Sequence, residues 1–330
     1  MKTKQFFKKF GILILLVLLC VFFAIATEGV FIKPDNLLNV ARQVAMIGIA
    51  SVGMAFVMIT GGMDLSIGSL QGLLGVLTAM MMVNGGFPIW VAIICTLLIG
   101  IIAGVFHAFI YDTFNVPPMI ITLAMYTSYR GLAYVISGGK PVFGFDEAFT
   151  TIGQGYLWFI PIPVIIMAVM IVIGWFILTK TSVGKYIYGL GGNEEACRLS
   201  GVNIRGMRYF IYAFSGFCAA LAAVVLCSRV NSGQPKSGTG FEFEVITAIV
   251  LGGVSIKGGS GSIWGVLVGV LFMGVMKNGF ILMNVNEYLQ MVLQGFVLLA
   301  AVIFDNLMSK PAKLTKEKLL EEAAAKKQEA

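Results

Sequence analysis

The stretch TKTSVGKYIYGLGGNEEACRLSGVNIRGMR, residues 179–208, is the longest polar run in an otherwise apolar chain. Apolar segments long enough to cross a membrane lie on both sides of it. Glycines at positions 191, 192 and 201 divide the run into two short helix-like blocks. A polar connection of this size between membrane spans predicts a surface that contacts another molecule.

The second block, residues 193–204, has the sequence signals of a short helix. Asn193 can accept hydrogen bonds from the first free amides. Glu194 and Glu195 follow, where negative charge suits the positive end of the helix dipole, and Gly201 can end the helix. The sequence therefore predicts a short helix lying at the membrane surface.

A longer part of the stretch, GKYIYGLGGNEEACRLSGVNI at residues 184–204, resembles the cytoplasmic coupling loop of permeases from ribose-type ABC importers. In that family the pattern EAA is followed three residues later by Gly. Here Cys197 replaces the second alanine and the later Leu-Pro pair is missing, a mild departure because cysteine is small and often buried. The resemblance implies docking on a separate ATPase subunit. The coupling residues it implies are Asn193, Glu194, Glu195, Ala196, Cys197 and Gly201.

The composition predicts an all-α polytopic membrane protein. Of 330 residues, 58% are hydrophobic and 12% are charged, and the mean hydropathy is +0.92, which excludes an ordinary soluble domain. The apolar runs are continuous for about 20 residues and do not alternate, which favours helices over a β-barrel. The net charge of +7 comes from basic residues that flank spans, so no nucleic-acid partner is expected.

About ten segments are predicted to cross the membrane. They are residues 10–26, 43–60, 65–83, 88–111, 117–137, 159–178, 209–227, 245–255, 263–283 and 288–304. The segment 245–255 is short for a full crossing and is compatible with a broken or re-entrant helix. The first segment ends in a sequence that imitates a signal-peptidase site, but it is longer than a signal core of roughly 7 to 15 residues, so we expect an uncleaved span.

The distribution of lysine and arginine predicts the orientation of these spans. Ten crossings from a cytoplasmic N-terminus place residues 179–208 and the C-terminus inside, on the side where most basic residues then lie. We therefore expect a transmembrane permease domain at residues 1–308 and a charged cytoplasmic tail at 309–330. The expected location is a bacterial plasma membrane.

Two glycine-rich segments are similar to each other and each leads into an apolar span. They are ITGGMDLSIGS at residues 59–69 and VLGGVSIKGGSGS at 250–262. Six predicted crossings separate the two spans, so both copies run in the same direction and predict a parallel internal repeat. Both segments also resemble the matching parts of ribose-type permeases. The candidate residues for a translocation path or gate are Gly61, Gly62, Asp64, Ser66, Gly252 and Gly253.

Asp64 has two compatible interpretations. The favoured one is a cap on a helix that begins at Leu65. The other is an acid that lines the substrate path at a break in a membrane helix. His107, the only histidine, lies in an apolar span and is expected to pack with its hydrogen bonds satisfied, so no metal site is predicted.

Other charged residues are expected near the outer interface. Arg130 is expected to extend to that interface or to pair with Asp146 or Glu147. Glu242 and the nearby Glu244 are expected to be solvated carboxylates beside an outer mouth. Small residues spaced four apart, as in the sets Gly68 and Gly72, Gly100, Gly104 and Ala108, and Gly261, Gly265 and Gly269, predict closely packed helices.

The sequence has no phosphate-binding loop, so ATP hydrolysis is not expected of this chain. The resemblance, which covers residues 36–305, implies two ATPase subunits that bind ATP and Mg²⁺, a second permease copy, an extracytoplasmic sugar-binding protein and membrane lipid as partners. No cofactor is expected in the chain itself. Candidate residues for docking the binding protein are Arg42, Lys140, Arg229 and Lys236.

The resemblance implies import of a monosaccharide, a ribose-like pentose or a hexose. Permeases for a nucleoside, a sugar-derived autoinducer or a branched-chain amino acid are alternatives within the same superfamily. An ion-coupled carrier is a further alternative, and it would depend on Asp64, His107 and Asp112. An intramembrane enzyme is disfavoured because the sequence has no nucleophile with a base at usable spacing.

Overall fold

The structure of the protein, a computed structural model, describes residues 2–309 and is built mainly from helices. The helices are α1 (Lys2–Ala26), α2 (Pro34–Ile59), α3 (Ile67–Val83), α4 (Ile89–Phe114), α5 (Pro118–Ser137), α6 (Glu147–Gln154), α7 (Ile162–Lys180), α8 (Ser182–Gly192), α9 (Glu194–Leu199), α10 (Ile204–Val230), α11 (Phe241–Leu251), α12 (Ile263–Leu282) and α13 (Glu287–Ser309). Strands β1 (Val142–Phe143) and β4 (Ser232–Gly233) pair antiparallel, as do β2 (Tyr156–Leu157) and β3 (Ile160–Pro161). The predicted charged tail, beyond residue 309, lies outside the described residues.

Seven helices in the described range are long and apolar enough to cross a membrane, namely α2, α4, α5, α7, α10, α12 and α13. The apolar part of α1, Gly11–Ala26, and helix α3 are shorter. Helix α11 has 11 residues and is about 16 Å long, roughly half the apolar thickness of a bilayer. Each of the ten predicted spans overlaps a helix, and the protein is a multi-pass membrane protein. The count of ten crossings stays a prediction.

Helix α2 forms the centre of the bundle. Residues 44–59 are all buried, and α2 packs against α7, α10, α11 and α12. By contrast, only 6% of the most apolar window of α13 is buried. Helix α2 is therefore surrounded by protein, whereas α13 presents its apolar side chains outward.

Glycines allow neighbouring helices to approach closely, as the spacing of small residues predicts. A Cβ atom at Gly104 of α4 would overlap the carbonyl group of Tyr212 in α10. A Cβ atom at Gly269 of α12 would overlap the carbonyl oxygen of Ala248 in α11. The prediction of close helix packing is confirmed at these two crossings.

The bundle has two ends. The coupling end is formed by α8, α9 and the connections at residues 60–66 and 252–262, which touch one another. The far end carries α6 and the paired strands β1 and β4, where α6 packs on the last turns of α10. Helices α2 and α11 run towards the coupling end, and α3, α10 and α12 run away from it.

Helices α3 and α11 begin beside each other inside the bundle and run in opposite directions. Gly68 in the first turn of α3 touches the carboxylate of Glu242 in the first turn of α11. From this point α3 passes β4 near Gly233, and α11 leads to Gly252 at the start of the second glycine-rich connection. Helix α11 is thus a half-length helix entered through an irregular segment, as the short apolar run suggested.

Candidate functional site

The predicted surface helix is present as α9, preceded by α8. The side chain of Asn193 accepts a hydrogen bond from the Ala196 amide at 2.9 Å and caps α9. Gly201 follows the helix with a φ of +79°, a conformation that glycine adopts without strain. None of the α9 residues is buried, so α9 presents an open polar surface. Helices α8 and α9 together are here called the coupling segment.

Ion pairs tie the coupling segment to the ends of α4 and α10. Arg208 of α10 donates a hydrogen bond to Glu194 at 2.6 Å and lies 3.4 Å from Asp112 of α4. Within α9, Arg198 bonds Glu195 at 2.6 Å, and this bond raises the pKa of the Arg198 guanidinium. Because Arg208 is largely buried and the Arg198 pair is exposed, the link through Arg208 contributes more to fixing α9.

The end of α8 meets both glycine-rich connections in backbone contact. A Cβ atom at Gly191 would overlap the carbonyl oxygen of Ile59, the last residue of α2. The amide of Gly259 donates to that same oxygen at 2.8 Å, and a Cβ at Gly258 would lie 2.8 Å from the amide of Gly61. We call these contacts the glycine junction. In the sequence, Gly191 marks only a boundary between two helical blocks.

The other gate candidates lie in these two connections. Gly62 lies beside the Tyr212 hydroxyl, and Gly252 packs against the backbone of Gly265 in α12. Gly253 has a φ of +83° and open space around it. Both connections follow helices that run in the same direction, as a parallel repeat requires, but the repeat itself stays a prediction.

Asp64 organises the turn before α3. Its Oδ1 atom accepts hydrogen bonds from the Ser66 amide at 3.0 Å and from the Ser66 hydroxyl at 2.6 Å. Helix α3 begins at Ile67, two residues after the predicted start at Leu65, so Asp64 is not its cap. Asp64 is therefore a turn-forming residue that is 2% exposed, and it lies inside the bundle.

His107 differs from the prediction of a fully satisfied packing residue. Its Nε2 atom lies 3.1 Å from the Tyr129 hydroxyl, but Nδ1 has no hydrogen-bond partner among the described residues. The Nδ1 atom is 4.0 Å from Oδ2 of Asp64. The buried acid and the single histidine are thus neighbours, although they are separated in sequence.

Two of the four docking candidates meet at the far end. Arg42 donates to the carbonyl oxygen of Gln154 at 3.2 Å, and the Gln154 amide donates to the carbonyl oxygen of Arg229 at 3.0 Å. Lys140 and Lys236 are exposed and lie in the loops that the pairing of β1 with β4 joins. The four residues are placed on one end of the molecule; their role in docking is untested.

Arg130 and Glu242 lie in environments that differ from those expected from the sequence. Arg130 does not pair with Asp146 or Glu147, and donates to the carbonyl oxygens of Pro235 and Ser237, both at 2.6 Å. Glu242 is 2% exposed and lies inside the bundle, because α11 begins at depth and not at the surface. No pattern in the sequence marked the depth at which this helix begins.

Together these features define a multi-pass helical membrane protein whose exposed polar segment is in backbone contact with its core, an arrangement suited to a transport subunit. A family model described as "Branched-chain amino acid transport system / permease component" matches residues 36–302. The chain belongs to this family of permease components.

Named relatives agree with this assignment. The chain is 40% identical to "Ribose import permease protein RbsC" of Haemophilus influenzae over 280 residues, covering 84% of this chain and 86% of the relative. It is 40% identical to the protein of the same name in Bacillus subtilis, covering 83% and 86%. It is 36% identical to "L-arabinose transport system permease protein AraH" of Escherichia coli, covering 92% of each. No solved structure matches. The resemblance to ribose-type permeases is confirmed.

Proposed function

We propose that the chain is the membrane-spanning permease subunit of an ATP-driven importer that translocates a monosaccharide, a pentose or a hexose. Relatives named for ribose, xylose, allose and arabinose transport support this substrate class. A separate ATPase subunit binds ATP and Mg²⁺, and an extracytoplasmic binding protein delivers the sugar. A second permease copy completes the membrane part, which lies in a bacterial plasma membrane with both termini in the cytoplasm.

The glycine junction is the observation on which this proposal chiefly rests. Backbone atoms in direct contact transmit a displacement directly, because no flexible side chain between them can change conformation and absorb it. An ATPase that moves α9 displaces Gly191, and Gly191 bears on Ile59 and on the connection at residues 252–262. One push at the coupling segment thus acts on the end of the central helix α2 and on the connection between α11 and α12.

The far end is the proposed dock for the binding protein. Arg42 and Arg229 lie together there, and within the described part of the chain neither of them forms an ion pair. Carboxylates on a partner would complement their charges and speed its association. Lys140 and Lys236 extend the same basic surface.

The coupling assignment is tested by reversing one exposed charge. In a complex of this chain with its ATPase subunits, Glu195→Arg on α9 is expected to abolish ATP-dependent sugar uptake and to weaken co-purification of the ATPase. Glu287→Arg is the matched control, because Glu287 is also exposed in the first turn of a helix but lies at the start of α13.

Uptake in proteoliposomes is the measurement. Normal ATP-driven uptake by the Glu195→Arg variant would contradict the coupling assignment. Concentrative uptake by the chain alone under a proton gradient would instead favour an ion-coupled carrier, for which Asp64 and His107 are the neighbouring ionisable groups.

A further inference from the structure

Three polar side chains meet inside the bundle where α3 and α11 begin. Gln71 of α3 is 1% exposed and Glu242 of α11 is 2% exposed, and the guanidinium group of Arg130 in α5 lies beside Gly72 of α3. Within the described residues, both amide atoms of Gln71, Oε2 of Glu242 and Nη2 of Arg130 have no hydrogen-bond partner. Buried polar atoms are nearly always paired in folded proteins, so unpaired atoms on three adjacent side chains indicate a missing ligand.

The three groups converge on one face of α3. Glu242 lies against Gly68, and a Cβ atom at Gly72 would lie 2.9 Å from Nη1 of Arg130. Positions 68, 71 and 72 are spaced by three and four residues, which places them on the same side of the helix. The absence of side chains at 68 and 72 leaves room for groups from α5 and α11 to reach this face.

The segment at residues 234–240 covers this face. Its carbonyl groups at Pro235 and Ser237 accept the two bonds from Arg130, and Gly238 packs on Gly68. The segment continues from β4, which pairs with β1 at the far end. A displacement of β4 outward would therefore uncover the polar face from the end where the sugar is proposed to arrive.

We propose that Gln71, Arg130 and Glu242 form the site that binds the hydroxyl groups of the sugar inside the bundle, and that residues 234–240 are its cover. This inference rests on the proposed function of the chain. The path candidates named from the sequence lie at the glycine-rich connections, whereas this site lies deeper, where α3 and the half-length helix α11 begin beside each other.

The chemistry of the three side chains matches a neutral polyhydroxy solute. The Gln71 amide both donates and accepts, as a sugar hydroxyl does, and Glu242 supplies acceptors. Arg130 and Glu242 carry opposite formal charges, so the site as a whole needs no counter-ion from its ligand. An amino acid would bring two charges of its own, and it is the comparison ligand in the test.

Cysteine accessibility tests the site in the complete importer. The change Gln71→Cys places a thiol at the site, and Ser69→Cys is the matched control, since Ser69 is buried in the same helix two residues away. A small hydrophilic thiol reagent is applied from the far end with the nucleotide-bound complex held open to that side. We expect labelling at position 71, at least tenfold slower in the presence of ribose, xylose or arabinose, and no labelling at position 69.

Each other result overturns the site. Labelling at position 71 that none of these sugars slows would show that water reaches the position but no sugar binds there. Absence of labelling in every state would show that Gln71 is only a packing residue. Protection by leucine in place of a sugar would reject the polyhydroxy ligand. Sugar uptake by the unmodified importer is measured separately. If it accumulates no sugar, the proposed function of the chain is wrong, whatever the labelling shows.

A second pair of variants keeps the test independent of the cysteine chemistry. Glu242→Gln is expected to lower sugar uptake at least tenfold while ATPase stimulation by the loaded binding protein persists. Glu244→Gln removes the same charge two residues away, where the carboxylate bonds Lys277 at 2.5 Å, and is expected to change uptake less than twofold. Equal effects of the two variants would overturn the assignment of Glu242.

Discussion

The two glycine-rich connections at the coupling end have similar sequences but are held by different parts of the molecule. In residues 60–66, Asp64 is buried, bonds Ser66 and lies beside His107 of α4. In residues 252–262, Lys257 is exposed and its ammonium group donates to Asn306 in α13 at 3.4 Å. The charged side chain of the first connection thus lies among core helices, and that of the second reaches a helix at the periphery.

This difference predicts how far each connection moves when the coupling segment is displaced. Both connections meet the coupling segment at the glycine junction, so both receive the same displacement. Close packing in the interior resists displacement of the packed segments, whereas contacts between exposed side chains add little to stability. We therefore expect residues 252–262 to move more than residues 60–66 when α9 is displaced.

The largest expected effect comes from filling the junction that both connections share. Gly191→Ala places a methyl group where the carbonyl oxygen of Ile59 lies. Overpacking of this kind costs about 1–3 kcal/mol, and because each 1.4 kcal/mol is a factor of ten, we expect ATP-driven uptake to fall by roughly 5- to 140-fold. Gly192→Ala is the control, since no atom lies within 4 Å of its Cβ position. Equal uptake by the two variants would show that the contact does not transmit motion.

A more local effect, on stability and not on uptake, is expected from releasing the buried anchor of the first connection. Asp64→Ala removes the acceptor for the Ser66 amide and hydroxyl. An unpaired buried donor costs about 1–3 kcal/mol, so the thermal unfolding midpoint of the purified complex should fall. Asp64→Asn retains an acceptor oxygen and should lose less stability. Equal losses for Asn and Ala would mean that the charge beside His107, and not the hydrogen bond, anchors the connection.

The smallest effect is expected in the second connection. Lys257→Ala removes an exposed contact with Asn306. Such surface changes usually alter stability by no more than about 0.5 kcal/mol, so the unfolding midpoint should stay close to that of the unmodified complex. A destabilisation as large as that of Asp64→Ala would abolish the contrast between the two connections.

Local features of this chain could be predicted from sequence because their causes are local. The cap of α9 at Asn193, its end near Gly201 and the positions of the apolar helices follow from neighbouring residues. The close crossing of α4 and α10 at Gly104 follows from helical spacing of small residues. Each of these needs no knowledge of distant parts of the chain.

The candidate sites depended on contacts that sequence spacing does not encode. Gly191 and Gly259 meet only because three separate segments end at one place, and a backbone contact leaves no pattern of side chains. Glu242 was expected in solvent because its neighbours in sequence form an outer loop. Its burial follows from the depth at which residues 234–240 enter the bundle, which is a property of the whole fold.

The central position of α2 has a consequence for assembly during synthesis. Arg42 in α2 bonds the carbonyl oxygen of Gln154, which is 112 residues later in the chain. Helix α12, which also packs on α2, ends at Leu282, 223 residues after the end of α2 at Ile59, so at roughly 5 to 20 residues per second the ribosome needs about 11 to 45 s to make the helices that surround α2. Helix α2 is therefore synthesised well before α7, α10 and α12, the helices that enclose it in the folded protein. During that interval its apolar side chains must contact lipid or an insertion factor. Substitutions that make α2 more polar would therefore reduce the yield of inserted protein before they affect transport.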